Sequence, residues 1–229
     1  MRALAPEDFA ALLPALRPGA MALKQVLISA NTPVETVHFV EAGIVSVTSD
    51  APSGRVEIGL LGREAAVGVL PILLEDDRSP HTHFVQMAGR VQSIDVHALR
   101  VMMEARPALR RVLCRYVRAQ HIQTAQTAFA NAKGSTAMRL ARWLLMCQDR
   151  SDRDEITVTQ EFMSLMLGVE RPGVTTALRA LQRDELVTKR RGVVQIIDRD
   201  GLLDRAGDTY GLAEIEYARL IEGNTAPEL

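Results

Sequence analysis

Thr157-Val158-Thr159-Gln160-Glu161-Phe162-Met163-Ser164-Leu165-Met166-Leu167-Gly168-Val169-Glu170-Arg171-Pro172-Gly173-Val174-Thr175-Thr176-Ala177-Leu178-Arg179-Ala180-Leu181 is the stretch whose reading decides the fold. Thr159 can cap a helix that ends near Leu167. Gly168 supplies the left-handed residue that a tight interhelical turn requires. A second helix begins at Glu170 or Arg171, with Pro172 tolerated in its first turn. Its Val174, Leu178 and Leu181 recur at i, i+4 and i+7 and point inward, so Arg171, Thr175, Thr176 and Arg179 point outward. The pattern predicts a helix-turn-helix whose second helix offers its N-terminal residues to a major groove.

Working outward, Leu186-Val187-Thr188-Lys189-Arg190-Arg191-Gly192-Val193-Val194-Gln195-Ile196-Ile197 places two β-prone runs around Arg191-Gly192. This reads as a hairpin with a basic tip. Alone, its charges would suggest a solvated turn. Directly after a recognition helix it reads as a wing, with Lys189, Arg190 and Arg191 set to meet phosphates. Beyond it, Leu202, Leu203, Tyr210, Leu212, Ile215 and Tyr217 predict helical turns folding back on this unit, and Glu222–Leu229 a frayed end.

Upstream, Ser135 can cap a helix over 136–149 with Met138, Leu140, Ala141, Leu144 and Leu145 on its buried face. Asp149–Glu155 reads as a loop. Before Gly134 lies a helix of about 26 residues from Pro107 to about Ala132, roughly 39 Å long. Its Leu109, Val112, Leu113, Tyr116, Val117, Gln120 and Thr124 form a stripe that continues through Ala128 and Ala132. Such a stripe asks for a partner helix, or else packs on its own domain. Asp95 caps a shorter helix over Val96–Glu104. From Gln25 to Asp95 short β-rich runs alternate with breaks: Gln25–Ile28, Val37–Glu41, Ile44–Ser49, Arg55–Leu60, His83–Met87 and Arg90–Ile94. The breaks fall at Asn31-Thr32-Pro33, Gly43, Pro52-Ser53-Gly54, Gly62, Pro80 and Gly89, as in an antiparallel barrel or roll. Residues 6–16 predict a short helix at the start.

The expected fold is therefore α+β: an N-terminal antiparallel β-roll over 1–106, a long dimerisation helix and hinge over 107–134, and a C-terminal winged helix-turn-helix over 135–229. The chain's 229 residues suffice for two cores. Its net charge of −1 hides an uneven distribution. Residues 1–106 hold 9 Lys/Arg and 12 Asp/Glu, residues 107–134 hold 5 basic side chains and no acid, and residues 168–197 hold 6 basic and 3 acidic. Local positive charge of this kind suits a nucleic-acid partner even in a near-neutral chain. No secretory or membrane-spanning run is evident, which predicts a cytoplasmic protein without a membrane partner.

These pieces, in this order over about residues 20–198, resemble the Crp/Fnr family of bacterial transcription regulators. The resemblance is carried by His38-Phe39-Val40-Glu41-Ala42-Gly43-Ile44-Val45, by Gly62-Arg63-Glu64, by Arg139-Leu140-Ala141-Arg142-Trp143-Leu144-Leu145, and by Thr159-Gln160-Glu161 with Leu167-Gly168-Val169. It implies a symmetric homodimer on palindromic double-stranded DNA, a cyclic-nucleotide-binding-like roll that resets the DNA-binding heads through the hinge, and RNA polymerase as a further candidate partner. Members commonly start the recognition helix with Arg-Glu and place an Arg further along. Here Arg171 is kept, Pro172 and Gly173 follow, and Thr176 stands at the later position. Base readout is thus expected from Arg171, with Glu170, Thr175 and Thr176 as weaker candidates and Thr159, Gln160 and Arg179 beside them.

The sensor end departs further. The effector pocket is expected around Gly62, Glu64, His81 and His83. The Arg-Ser/Thr-Ala motif that holds a cyclic nucleotide's phosphate is replaced by Arg78-Ser79-Pro80-His81-Thr82-His83, which predicts no dependence on cyclic AMP. No cysteine precedes Cys114, against an oxygen-sensing cluster. Two other readings stay open: a constitutive DNA-binding protein with a ligand-free roll, and a cupin-like metalloenzyme using His38, Glu41, His81 and His83. No acid follows His83 at the spacing such a metal site needs. No nucleophile–base pair, phosphate loop or carboxylate pair stands out. The expectation is a protein without catalytic residues, metal or cofactor.

Overall fold

The computed structural model describes residues 4–52, 54–151 and 153–223. Among these, helix α1 (Pro6–Leu12) continues into a 3₁₀ turn at Leu13–Ala15, because Pro14 removes an amide that a longer α-helix would use. Strands follow: β1 (Arg17–Met21), β2 (Val26–Ile28), β3 (Thr36–Ala51), β4 (Gly54–Leu61) and β5 (Ala66–Val67). A short helix, α2 (Val69–Leu73), precedes β6 (Thr82–Asp95). The sheet runs β1-β6-β3-β4, with β2 also on β6 and β5 also on β3, every pairing antiparallel. β1 was not expected from the sequence.

Gly43 and Gly89, expected as breaks, lie inside continuous strands. The β3–β6 register slips three times between Val40 and Val45, and the bend needs both glycines. Gly43 has φ +95°, and a Cβ there would meet the Met87 carbonyl at 2.6 Å. A Cβ on Gly89 would lie 1.9 Å from the Ala42 carbonyl. Paired glycines let two long strands fold over each other without ending.

Helix α3 (Val96–Ala105) is capped by the Asp95 carboxylate, which accepts from the Ala98 amide. Helix α4 (Pro107–Lys133) and helix α5 (Thr136–Arg150) are separated at Gly134, with Ser135 accepting from the Met138 amide to cap α5. Next come β7 (Glu155–Thr157), α6 (Gln160–Leu167), α7 (Arg171–Arg183), β8 (Val187–Arg190) and β9 (Val193–Ile196), the strands forming a small sheet in the order β7-β9-β8. The expected loop at 149–155 is shorter than predicted, since Arg150 ends α5 and Glu155 opens β7. The chain ends in α8 (Arg199–Ala206), a 3₁₀ turn at Gly207–Thr209, α9 (Leu212–Tyr217) and a wide helical turn at Ala218–Glu222. The expected fraying at 222–229 lies mostly outside the described residues.

Two hydrophobic cores result. The first fills the roll with side chains such as Val37, Val45, Val85 and Ile94, and closes against α3 and α4 through Leu99, Leu109, Leu113 and Tyr116. The second gathers α5 to α8 around Leu140, Leu144, Met163, Val174, Leu178 and Val194. It is not separate from the roll as the sequence led us to expect. Ile44, Leu60 and Phe84, on the outer face of the sheet, belong to this second core. Helix α5 is consequently buried on every side from Leu140 to Cys147, with the roll on one flank and α7 and α8 on the other.

The long stripe on α4 also divides. Leu109, Leu113 and Tyr116 pack against the chain's own roll, while Thr124, Ala125, Ala128, Phe129 and Ala132 stay exposed. The C-terminal turns divide likewise: α8 lies on α5, whereas α9 and the turn after it lie on α4 rather than on the helix-turn-helix.

Candidate nucleic-acid interface

The helix-turn-helix forms for local reasons. The Thr159 hydroxyl accepts from the Phe162 amide, closing the start of α6. Gly168 adopts φ +59°, its amide returns to the Leu165 carbonyl and that of Val169 to the Ser164 carbonyl, ending α6 in a left-handed turn. Glu170 takes an extended backbone ahead of α7, and Pro172 sits in the first turn where no amide is missed. Val174, Leu178 and Leu181 are buried at 0–1% exposure, which fixes the rotation of α7. Arg171, Thr176 and Arg179 are exposed as a result, as are Glu170 and Thr159.

Gln160 and Thr175 behave differently. Both are half-buried, and the Gln160 amide donates to the Thr175 hydroxyl at 3.2 Å, which itself donates to the Arg171 carbonyl at 2.9 Å. They staple α6 to α7 more than they face outward. Arg171 pairs with Glu161 at 3.0 Å, not with Glu170; the two side chains are 64% and 77% exposed. An exposed pair of this kind is worth at most about 1 kcal/mol and yields readily to a better partner. Behind α7, β8 and β9 turn at Arg191-Gly192 with Gly192 at φ +75°, and Lys189, Arg190 and Arg191 are exposed on that hairpin.

The same unit is docked on the roll. The Trp143 indole donates to Glu57 Oε1 at 3.0 Å, and Gln86 donates to the Cys147 sulfur at 3.6 Å. Phe162 meets Phe84 edge to face at 6.1 Å, and the Gly168 turn abuts Val56 so closely that a Cβ would lie 3.0 Å from it. Arg150 Nε reaches Glu64 Oε1 at 2.7 Å, with both side chains largely buried. Burial pushes the Glu57 carboxyl up to about 7, against the pull of the Ser46 and Trp143 hydrogen bonds and of nearby Arg142 and Arg150. Sequence reasoning did not find Glu57, Arg142 or Arg150. Arg142 is held inside by the Thr209 carbonyl at 2.8 Å.

The four residues expected to form one effector pocket are not brought together. Gly62 and Glu64 close on Arg150, and a Cβ at Gly62 would lie 2.4 Å from the Arg150 side chain. That glycine–acid pair serves contact with α5. His81 and His83 lie elsewhere, on and just before β6, where His83 pairs with Val47. Burial lowers His83 to about 4, and its ring takes the His81 carbonyl as partner at 3.2 Å. His38 bonds Ser93 at 2.8 Å and Glu41 accepts from Gln92 at 3.0 Å, so neither is turned toward the other two histidines. Among the described residues no group of three His, Cys, Asp or Glu is arranged to hold a metal.

This architecture, an antiparallel roll followed by a long helix and a winged helix-turn-helix, defines a class of DNA-binding transcription regulators. The Crp-like helix-turn-helix domain family matches residues 138–205, and the cyclic nucleotide-binding domain family matches residues 21–106. A curated relative, the HTH-type transcriptional regulator Cmr of Mycobacterium tuberculosis (strain CDC 1551 / Oshkosh), is 26% identical over 200 residues, 87% of this chain and 80% of the relative. Two solved structures share the fold. A Crp-family transcriptional regulator from Thermus thermophilus superposes with TM-score 0.69 at 21% identity, covering 83% of this chain and 97% of the other. The c-di-GMP-responsive global regulator CLP of Xanthomonas campestris does so with TM-score 0.69 at 16% identity, covering 84% and 99%. The chain belongs to the Crp/Fnr family and is a DNA-binding transcription regulator.

Proposed function

We propose that the protein acts in the cytoplasm as a homodimer on a palindromic operator, and that a signal received on the roll side resets its DNA-binding heads. The reading divides the chain into a sensor part over 1–106, a dimerisation helix and hinge over 107–134 and a DNA-binding part over 135–229. Its principal support is the face that α7 and the hairpin present together: Arg171, Thr176 and Arg179 exposed on the helix, Lys189, Arg190 and Arg191 exposed behind it. No helix among the described residues is long and apolar enough to cross a membrane. RNA polymerase is the partner through which such a bound dimer would act on transcription.

In this docking geometry the N-terminal turn of α7 enters the major groove and the hairpin lies along the backbone. Arg171 can form two hydrogen bonds to a guanine, which carries sequence information; the hairpin cations contact phosphates, which do not. The test is a footprint on genomic fragments selected by the intact protein, with the mass in solution measured by light scattering. The expected result is a mass of two chains and two protected half-sites about 34–36 Å apart. A one-chain mass with a single protected half-site would refute the dimeric reading.

A further inference from the structure

A cavity of about 1180 Å³ lies between the roll, α4 and the C-terminal turns. Its apolar wall includes Phe39, Leu61, Leu113 and Ile221. It is not the interior of the roll. There, Ile28, Val34, Val69 and Ile72 are buried against one another, and a Cβ on Gly68 at the start of α2 would lie 2.9 Å from Ile28. The cavity lies instead where α9 covers α4, in a space that residues 207–222 help to build.

The charges on this wall do not suit an anion. Glu41, Glu64, Asp149, Glu214 and Glu222 line it against Arg63, Arg150 and Arg199. All three arginines are engaged: Arg150 pairs with Glu64 and Arg199 with Asp149, each at 2.7 Å, and Arg63 donates to the Asp149 carbonyl at 3.1 Å. The wall keeps an excess of two carboxylates. A phosphate or carboxylate ligand would be desolvated into like charge. Three tyrosines also line the space: Tyr116, Tyr210 and Tyr217. Tyr116 is only 6% exposed, and its buried hydroxyl lies by the Ala66 backbone. Burial and neighbouring acids raise all three phenols, keeping the rings neutral, with faces that attract cations.

We propose that this cavity, walled by acids and tyrosines between the roll, α4 and the C-terminal turns, binds an organic cation with an apolar body. The apolar wall and the tyrosines suit such a ligand's body, and the carboxylate excess sets its sign. Occupancy would be felt at the DNA-binding part, because Asp149 at the end of α5 holds both Arg199 and the Tyr210 hydroxyl, at 2.7 and 2.5 Å. The proposal deepens the signal-modulated reading and rests on it for that consequence, not for binding itself.

The test uses the intact protein and two probes of equal shape and opposite charge, tetraphenylphosphonium and tetraphenylborate, titrated by calorimetry without DNA. The cation should saturate at one per chain and raise the Tm, with the anion at least about tenfold weaker. Glu41→Gln with Glu214→Gln should weaken cation binding about tenfold. A glutamine in place of Glu214 would still accept from the Gly211 amide and keep α9 capped. Glu41→Gln alone, at an exposed position, should give a smaller loss in the same direction, and covers the case in which the double variant fails to fold. Equal or tighter binding of tetraphenylborate, no saturable binding of the cation, or indifference to the carboxylate substitutions would each overturn the proposal. Cation binding that leaves operator affinity unchanged would support the site and refute the modulation.

Discussion

Arg171 stands at the first position of α7 with its guanidinium largely in solvent, paired with Glu161 across the turn. Its position and exposure make it the side chain best placed to discriminate bases, at about 1–3 kcal/mol for a bidentate contact with guanine. Arg171→Ala should therefore weaken operator binding by about fivefold or more per half-site while leaving binding to scrambled duplex nearly unchanged. Replacing Lys189, Arg190 and Arg191 together should weaken both and flatten the salt dependence by about one unit for each phosphate left without its cation. Measuring both variants on the two duplexes across a salt series decides the matter; equal loss on both for Arg171→Ala would make it a phosphate clamp. These side chains were legible in the sequence because helix period alone decides which of them face out. Gln160 and Thr175 were not, since their mutual hydrogen bond depends on the angle between α6 and α7, which no periodicity encodes. The pairing of Glu64 was not legible for a related reason. Its partner, Arg150, is 86 residues away.

Helix α4 shows what an apolar stripe can and cannot say. Length and start were evident from Pro107 and Gly134, but a stripe does not name the surface that it meets. Its first half is spent on the chain's own roll, and just past the midpoint Gln123 also accepts from the Leu60 amide at 3.0 Å. Its second half leaves Ala125, Ala128, Phe129 and Ala132 exposed, spaced as a helix face three and four residues apart. Arg111, Arg115 and Arg118 continue that side toward the N-terminus, where parallel pairing would set like charges together. The seam is therefore expected in the second half. Phe129, 42% exposed, lies on it, so Phe129→Glu should leave each chain folded yet place two carboxylates face to face across a two-fold axis. Sedimentation equilibrium should show dimer dissociation raised at least about tenfold. An unchanged dimer would move the seam elsewhere on the molecule.

At the scale of the whole molecule, the roll and the DNA-binding part share a buried boundary that the sequence did not signal, since Val45-Ser46-Val47-Thr48 alternates apolar and polar residues. In the structure Ile44 to Thr48 is nevertheless buried without a break, because both faces of β3 are covered there. Its second covering, α5 and α6, comes from about a hundred residues further on, so the partner could not be read locally. That boundary holds Glu57 and the roll holds His83, and the two oppose each other in pH. Glu57, raised to about 7 by burial, stays protonated in the folded chain while it would ionise on unfolding above about 4.5. The folded state then binds the extra proton, so this group's contribution falls as pH rises through that window, by roughly 3 kcal/mol in all. His83, lowered to about 4 by burial, stays neutral when folded and gains a proton on unfolding below about 6.5. Its contribution rises with pH from about 4 to 6.5, by a similar amount. In the intact protein the two slopes largely cancel between pH 4.5 and 6.5. Each single substitution should expose the other. Glu57→Gln, which keeps an acceptor for the Trp143 indole, should gain stability relative to the parent as pH rises from 4.5 to 7. His83→Asn should lose it relative to the parent from pH 4 to 6.5. Urea unfolding at half-unit pH steps measures both differences. A Glu57→Gln difference that is flat across the window would mean that Arg142 and Arg150 keep the carboxylate ionised, and that the roll and the DNA-binding part are joined there by charge.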